Sequence, residues 1–156
     1  MTRVCLLGEE DVTLRHELQS RQTAREALRT YDLATPFENA VGLETVSLGA
    51  AISLLNDLNW YIVRLVADTF VLEPSVSETE WLSRELAAAI RADDIRPAET
   101  DRLLKVYGIE QSTDGPPRLL EPMFLVRSDG EYPNYDLHDV EDTLVIRVTE
   151  AEFEAG

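Results

Sequence analysis

Arg3-Val4-Cys5-Leu6-Leu7-Gly8 opens the chain as an apolar run that stops at a glycine. Short apolar runs bounded by a turn-forming residue are typical of buried β-strands. Asp11 follows closely and is placed to cap a helix that begins near Val12. A strand followed directly by a helix indicates a fold that uses both kinds of element.

The helical segment after this strand does not keep one apolar face. Leu14 and Leu18 share a face, but Ala24 and Leu28 follow a second face that is rotated by nearly a quarter turn. A single straight helix cannot bury both faces against one core. We therefore expect a bend or break near Ser20.

The middle of the chain contains one ambiguous stretch. Residues 41–48 predict a strand, residues 49–56 a helix and residues 69–72 a second strand. Between them, residues 58–66 are rich in β-branched and aromatic side chains, yet their apolar positions also continue the three-four spacing of a helix. We favour a helix, a turn and then a strand here.

A helical hairpin is the strongest local prediction. In Ser77-Glu78-Thr79-Glu80 a serine precedes a glutamate by three positions, which is the pattern of a capping box, and the predicted helix runs to about Arg91. Pro97 is placed to open another helix, which Gly108 would end. The two helices would pack as an antiparallel hairpin at residues 77–107.

The remaining strand candidates are residues 123–127 and 144–148. The sequence thus predicts a single α+β domain over residues 1–150, followed by an acidic tail at 151–156. Its mixed sheet would have about four to six strands, as ordinary sheets do, packed by helices that include the hairpin.

The charge is extreme and uneven. The chain has 14 basic and 30 acidic residues, a net charge of −16, and a single lysine, Lys105. Residues 1–35 carry five arginines against six acids, whereas residues 110–156 carry three arginines against twelve acids. Carboxylates hold water and cations, while lysine stems add apolar surface that concentrated salt drives together. This composition is typical of a protein that works in molar salt.

The composition and the motifs of the sequence argue against several classes of protein. Cys5 is the only cysteine, so no intramolecular disulfide can form, and no leader or membrane-spanning pattern is present. We expect a cytoplasmic protein with no membrane association. Nucleic-acid binding is disfavoured because it draws on cations that contact phosphates. The sequence carries no phosphate-binding glycine loop, nucleophile elbow or paired cysteines, so no cofactor is predicted.

Two groups of residues could still carry a site. Glu9, Glu10 and Asp11 follow the first strand, and with Asp68 they could hold a divalent metal for phosphoryl transfer or hydrolysis. The alternative is that these acids favour the positive end of a helix.

Arginines and tryptophans form the second group. Arg21, Arg25 and Arg29 recur every four residues and would share one helix face, where they could dock an acidic partner or phosphate. The alternative is a solvated face paired with local glutamates. Trp60 and Trp81 are expected in the core, but an exposed tryptophan would be the natural anchor of a partner interface.

Residues 72–84 (LEPSVSETEWLSR) and 101–108 (DRLLKVYG) resemble a family of small uncharacterised haloarchaeal proteins. The resemblance spans most of the chain and implies a cytoplasm of high salt. It implies no activity, because the family has none assigned, and it transfers no functional residue.

We therefore favour a non-enzymatic protein-interaction or regulatory module that is adapted to high salt, with another protein as its partner. The alternative is a small metal-dependent enzyme that uses the four carboxylates. The sequence leaves the oligomeric state open.

Removing salt should destabilise this protein. At molar salt the Debye length is about 3 Å, whereas at 0.1 M it is about 10 Å and the acidic groups repel one another. The melting temperature, followed by circular dichroism during a KCl titration, should fall as KCl is lowered. A melting temperature that stays unchanged into dilute buffer would contradict the high-salt interpretation.

Overall fold

A computed structural model describes residues 1–127 and 142–155. Within them the chain forms eight strands, six α-helices and a short 3-10 turn at Pro97–Glu99. The elements follow in the order β1 (Thr2–Gly8), α1 (Leu14–Ser20), α2 (Gln22–Leu28), β2 (Ala40–Thr45), α3 (Leu48–Asp57), α4 (Asn59–Leu65), β3 (Val66–Leu72), β4 (Trp81–Ser83), α5 (Arg84–Arg91), β5 (Leu103–Glu110), β6 (Arg118–Leu119), β7 (Met123–Val126), β8 (Asp142–Arg147) and α6 (Glu150–Ala155).

All eight strands belong to one curled, mixed sheet. Its order is β2-β1-β3-β4-β8-β5-β6, and β7 pairs with the same edge of β5 as β6 does. The β4–β8 pair is parallel and the other described pairs are antiparallel. Strand β4 has only three residues, so the two larger parts of the sheet meet at a very short element.

The described residues form three hydrophobic clusters, and the two larger ones lie on opposite faces of the sheet. Along β1, Val4 and Leu6 point to a core that includes helices α1 to α5, because side chains alternate between faces along a strand. Cys5 points to the opposite, inner face, where it meets Phe70 of β3 and Tyr107 of β5. Strands β3 and β5 are not neighbours in the sheet, so this second core depends on the curl.

The prediction of an α+β fold with a mixed sheet is confirmed, although the sheet has more strands than the expected four to six. The predicted break near Ser20 is also confirmed. Helix α1 ends at Ser20, and Arg21 is extended, with φ −103° and ψ 121°, before α2 begins. The break lets both apolar faces, those of Leu14 and Leu18 and of Ala24 and Leu28, reach the same core.

The predicted helical hairpin at residues 77–107 is wrong. Ser77 Oγ does accept a hydrogen bond from the Glu80 backbone at 3.0 Å, but residues 81–83 then form β4, and helix α5 begins at Arg84. Ser83 provides the actual cap, with its Oγ 3.1 Å from the Leu86 nitrogen. The second predicted helix is strand β5, because this apolar run pairs with β8 along its length and is buried on both faces.

The prediction for residues 58–66 is also wrong. Helix α4 occupies Asn59–Leu65, and β3 begins directly at Val66. The helical spacing prevailed over β propensity because Leu55, Leu58 and Ile62 all bury their side chains in the helix-covered core.

Glu80 joins several elements through a buried charge network. Its carboxylate accepts hydrogen bonds from Arg127 and from Arg147 Nε, the latter at 2.8 Å. Arg147 Nη1 also donates to Thr100 Oγ1 at 3.1 Å. The Glu80 side chain is 9% exposed, which explains why it does not complete the predicted capping box.

The expected acidic tail begins as an ordered helix. Thr149 and Glu152 form a reciprocal capping box at the start of α6, with bonds of 3.0 and 3.1 Å. Phe153 stands edge-on to Phe124, with ring centroids 6.0 Å apart, and so packs α6 on the inner core. In the described residues, no helix has the length and apolar character needed to traverse a bilayer.

Candidate functional site

The single lysine lies inside the curl of the sheet and pairs with an aspartate. Lys105 Nζ is 2.8 Å from Asp68 Oδ2, and the side chains are only 20% and 16% exposed. Tyr107 donates its hydroxyl to the same Asp68 oxygen at 2.7 Å. Lys105 and Tyr107 are two apart on β5 and therefore face the same side, while Asp68 reaches them from β3.

Aromatic rings surround this charge pair. The Lys105 ammonium lies 5.5 Å from the ring centroid of Tyr107 and 5.7 Å from that of Phe124, within cation–π range. The Phe70 ring is 6.5 Å from Tyr107 and 5.2 Å from Trp81. The lysine is therefore largely an interior group.

Two neighbours of Asp68, Cys5 and Tyr107, are held in their neutral forms. Burial, followed by the charge of Asp68, raises the pKa of Cys5 from 9.0 to about 12. The same two causes, together with the hydrogen bond to Asp68, raise the pKa of Tyr107 well above its ordinary value. At neutral pH the cluster therefore offers a fixed ion pair flanked by a protonated thiol and phenol, with no activated nucleophile among these groups.

Glu9, Glu10, Asp11 and Asp68 do not assemble as the metal-site hypothesis required. Asp68 lies opposite Leu7, near the end of β1, as that hypothesis needed, but its carboxylate is bound by Lys105 and Tyr107. The other three acids lie exposed in the turn after β1. Among the described residues, no group of three or more potential ligands that could hold a metal ion is found.

The helix cap predicted at Asp11 is also corrected. Helix α1 begins at Leu14, and its backbone nitrogen donates to Asn39 Oδ1 at 2.9 Å. Asn39 Nδ2 donates to the Glu9 carbonyl, also at 2.9 Å. Asn39 has a positive φ of 58°, which asparagine tolerates better than most residues. This long-range cap has no local signal in the sequence.

The break between α1 and α2 falls at Arg21, where the predicted arginine stripe begins. Arg21 pairs with Glu17 at 3.4 Å, as the solvated-face alternative expected. Arg25 and Arg29 instead line a cleft of about 400 Å³ together with Arg15 from α1. We call Arg15, Arg25 and Arg29 with their cleft the arginine cleft. Arg21 is not among the residues that line this cleft.

A second cleft, of about 510 Å³, opens on the inner face beside β1 and β2. Trp81 and Cys5 contribute to its wall, together with Val4, Leu43 and Pro36. We call it the apolar cleft. The two clefts share Tyr31 and Asp32, which follow helix α2.

The two tryptophans have different surroundings. Trp81 is partly buried and stands edge-on to Phe70, as expected of a core residue. Trp60, on helix α4, is 52% exposed, so the expectation that it lies in the core is wrong for this residue. The side chain of Arg64 covers its ring, with Cζ 3.9 Å from the centroid.

The interior thiol gives a direct test of this cluster. Because Cys5 is fully buried with a raised pKa, a thiol reagent near pH 8 should modify the unfolded chain and spare the native one. Stability should fall as pH rises from 9 toward 12, because the unfolded thiol ionises first. Urea unfolding of the unsubstituted protein and of Cys5→Ala at each pH isolates the part of the unfolding free energy that is lost because the Cys5 thiol ionises. This loss should reach about 4 kcal/mol at full ionisation. Rapid native labelling, or identical alkaline slopes for both proteins, would contradict the assignment.

A sequence model of a family of unknown function, DUF5804, matches residues 2–109. The matched range contains Asp68, Lys105 and Tyr107 as well as the arginine cleft, whereas Arg127 and Arg147 lie beyond it. No curated protein and no solved structure gives a significant match. Because the family model covers more than half of the sequence, the chain belongs to the family of unknown function DUF5804.

Proposed function

We propose that this protein is a non-enzymatic interaction module that docks another protein on the outer face of helix α4. The observation that carries the proposal is the half-exposed indole of Trp60, which an arginine holds in a fixed position. Tryptophan and arginine are the residue types most enriched among the side chains that dominate binding energy at protein interfaces.

The exposed surface on α4 is larger than one side chain. Val63 is 69% exposed and lies three residues after Trp60, so the two share a helix face with Arg64. Of the large hydrophobic residues exposed in the described parts of the chain, Trp60 and Val63 are the pair that shares an element. An apolar contact of this kind suits a partner met in concentrated salt, where charge attraction between surfaces is screened.

Hydrogen bonds and ring contacts link the side chains around Trp60. Arg64 Nη1 donates to the Trp60 carbonyl at 2.8 Å while its guanidinium stacks on the ring. Tyr61 packs edge-on to Trp60 at 5.1 Å, and Arg84 donates to Asn59 Oδ1 at 2.8 Å where α4 begins. A side chain that is already held in place loses less conformational entropy on binding.

The compartment and the solvent are part of the same proposal. The net charge of −16, the single lysine and its interior position support a high-salt cytoplasm of the haloarchaeal kind. We place the module in that setting as one domain, with a protein partner and no nucleic acid or membrane.

Site-specific crosslinking tests the proposal. A photoreactive phenylalanine analogue at position 60 should give one discrete adduct in cells of the native host, because the partner covers this position. The matched control is the same analogue at Val46, which is 79% exposed but lies outside α4. Trp60→Ala should leave the melting temperature nearly unchanged, since the stacking contributes only about 0.5–1 kcal/mol. No adduct, or the same adducts from both positions, would refute the docking surface.

A further inference from the structure

Three arginines line one cleft of a protein whose net charge is −16. Arg15 comes from α1, Arg25 lies in the last turn of α2, and Arg29 follows directly after that helix. The cleft of about 400 Å³ falls in the size range of small-molecule sites. The extended residue Arg21 separates α1 from α2, and the cleft is lined by residues of both helices.

These arginines are partly fixed, and carboxylates do not neutralise them. The Arg15 guanidinium group donates to Thr35 Oγ1 at 3.1 Å and to the Leu33 carbonyl at 3.2 Å. These two hydrogen bonds hold the group at the wall of the cleft. Throughout residues 1–127 and 142–155, no ion pair within 4.0 Å involves Arg15, Arg25 or Arg29. Asp32 also lines the cleft but lies beyond that distance from each of them. The site therefore keeps a local positive charge on a chain whose net charge is −16.

The neighbouring apolar cleft indicates what kind of chemical group is attached to the anion. The two clefts meet at Tyr31 and Asp32, which line both. On the other side of Tyr31, the wall includes Pro36 and Trp81, which offer apolar and aromatic surface. A ligand that passes Tyr31 could place a charged group against the arginines and an apolar body in the second cleft.

We propose that the arginine cleft binds the phosphate of a small aromatic phosphomonoester, whose ring extends past Tyr31 into the apolar cleft. This is a small-molecule site, so it is independent of the protein-docking surface on α4. The ligand would act as a bound effector, because no nucleophile in these two clefts is activated toward its phosphate.

The number and type of donors favour phosphate over other anions. Guanidinium groups bind phosphate through paired, planar hydrogen bonds, and three of them supply more donors than one carboxylate can accept. Chloride, abundant in concentrated salt, cannot use this bidentate geometry or the apolar cleft. A phosphomonoester carries nearly two negative charges above pH 7, because its second pKa is about 6. Longer nucleic acids would also have to approach the rest of a chain whose net charge is −16.

Isothermal titration in molar KCl above pH 7 tests the proposal with three probes: phenyl phosphate, inorganic phosphate and phenol. Phenyl phosphate should bind at least about tenfold more tightly than inorganic phosphate, since burying its ring adds apolar contact, and phenol should show no saturable binding. Arg25→Gln and Arg29→Gln should each weaken phenyl phosphate binding by roughly tenfold or more, the usual loss for a charge-assisted hydrogen bond.

The matched control is Arg21→Gln, which removes the same charge from the same stripe but lies outside the cleft. It should leave the affinity nearly unchanged, and circular dichroism should show that all three variants remain folded. Tyr31→Leu should lower the affinity for phenyl phosphate and leave the affinity for inorganic phosphate unchanged. The proposal is overturned if no phosphate binds in molar KCl, if phenyl phosphate binds no more tightly than inorganic phosphate, or if Arg21→Gln weakens binding as much as Arg25→Gln.

Discussion

The sheet depends on one short joint and on the buried charges beside it. Strand β4 pairs with β3 through Ser83 and Leu82, and with β8 through Trp81 and Leu82, so three residues connect the two larger parts of the sheet. A strand this short supplies few backbone hydrogen bonds. On the inner face, the Asp68–Lys105 pair spans β3 and β5 where β4 no longer separates them. The Glu80 network joins the start of β4 to β8, so charge pairs reinforce the joint from both sides.

This arrangement suits the single lysine to the high-salt setting that we propose. A surface lysine would bring an apolar stem into concentrated salt, but an interior one buries that stem against aromatic rings while its compact ammonium meets Asp68. The two surfaces that we propose for binding lie on the outer helices. The exposed Trp60 and the arginine cleft both lie on the helical segments that flank the N-terminal half of the sheet, away from this charge pair.

The local parts of the fold could be predicted from the sequence, but the long-range parts could not. The apolar patterns of strand β1 and helix α3 predict both elements. The change of apolar face before Ala24 predicts the break between α1 and α2. Strand β5 resembles a helix because a strand buried on both faces loses its alternation, and this error hid the pairing of Lys105 with Asp68. Two of the three residues of the arginine cleft could be predicted from the sequence, because Arg25 and Arg29 belong to the four-residue repeat of arginines. Arg15 joins them only through the tertiary fold.

A double-mutant cycle on Asp68 and Lys105 tests most directly whether the interior charge pair holds the curled sheet together. Urea unfolding of Asp68→Asn, Lys105→Met and the double variant, all in molar KCl, gives their coupling energy. The account predicts that the double variant is less destabilised than the sum of the single variants by more than about 1 kcal/mol, with little change as KCl is raised, because partly buried pairs are weakly screened. Additive effects, or a coupling that vanishes as salt is raised, would show that the pair is not a structural element of the curl.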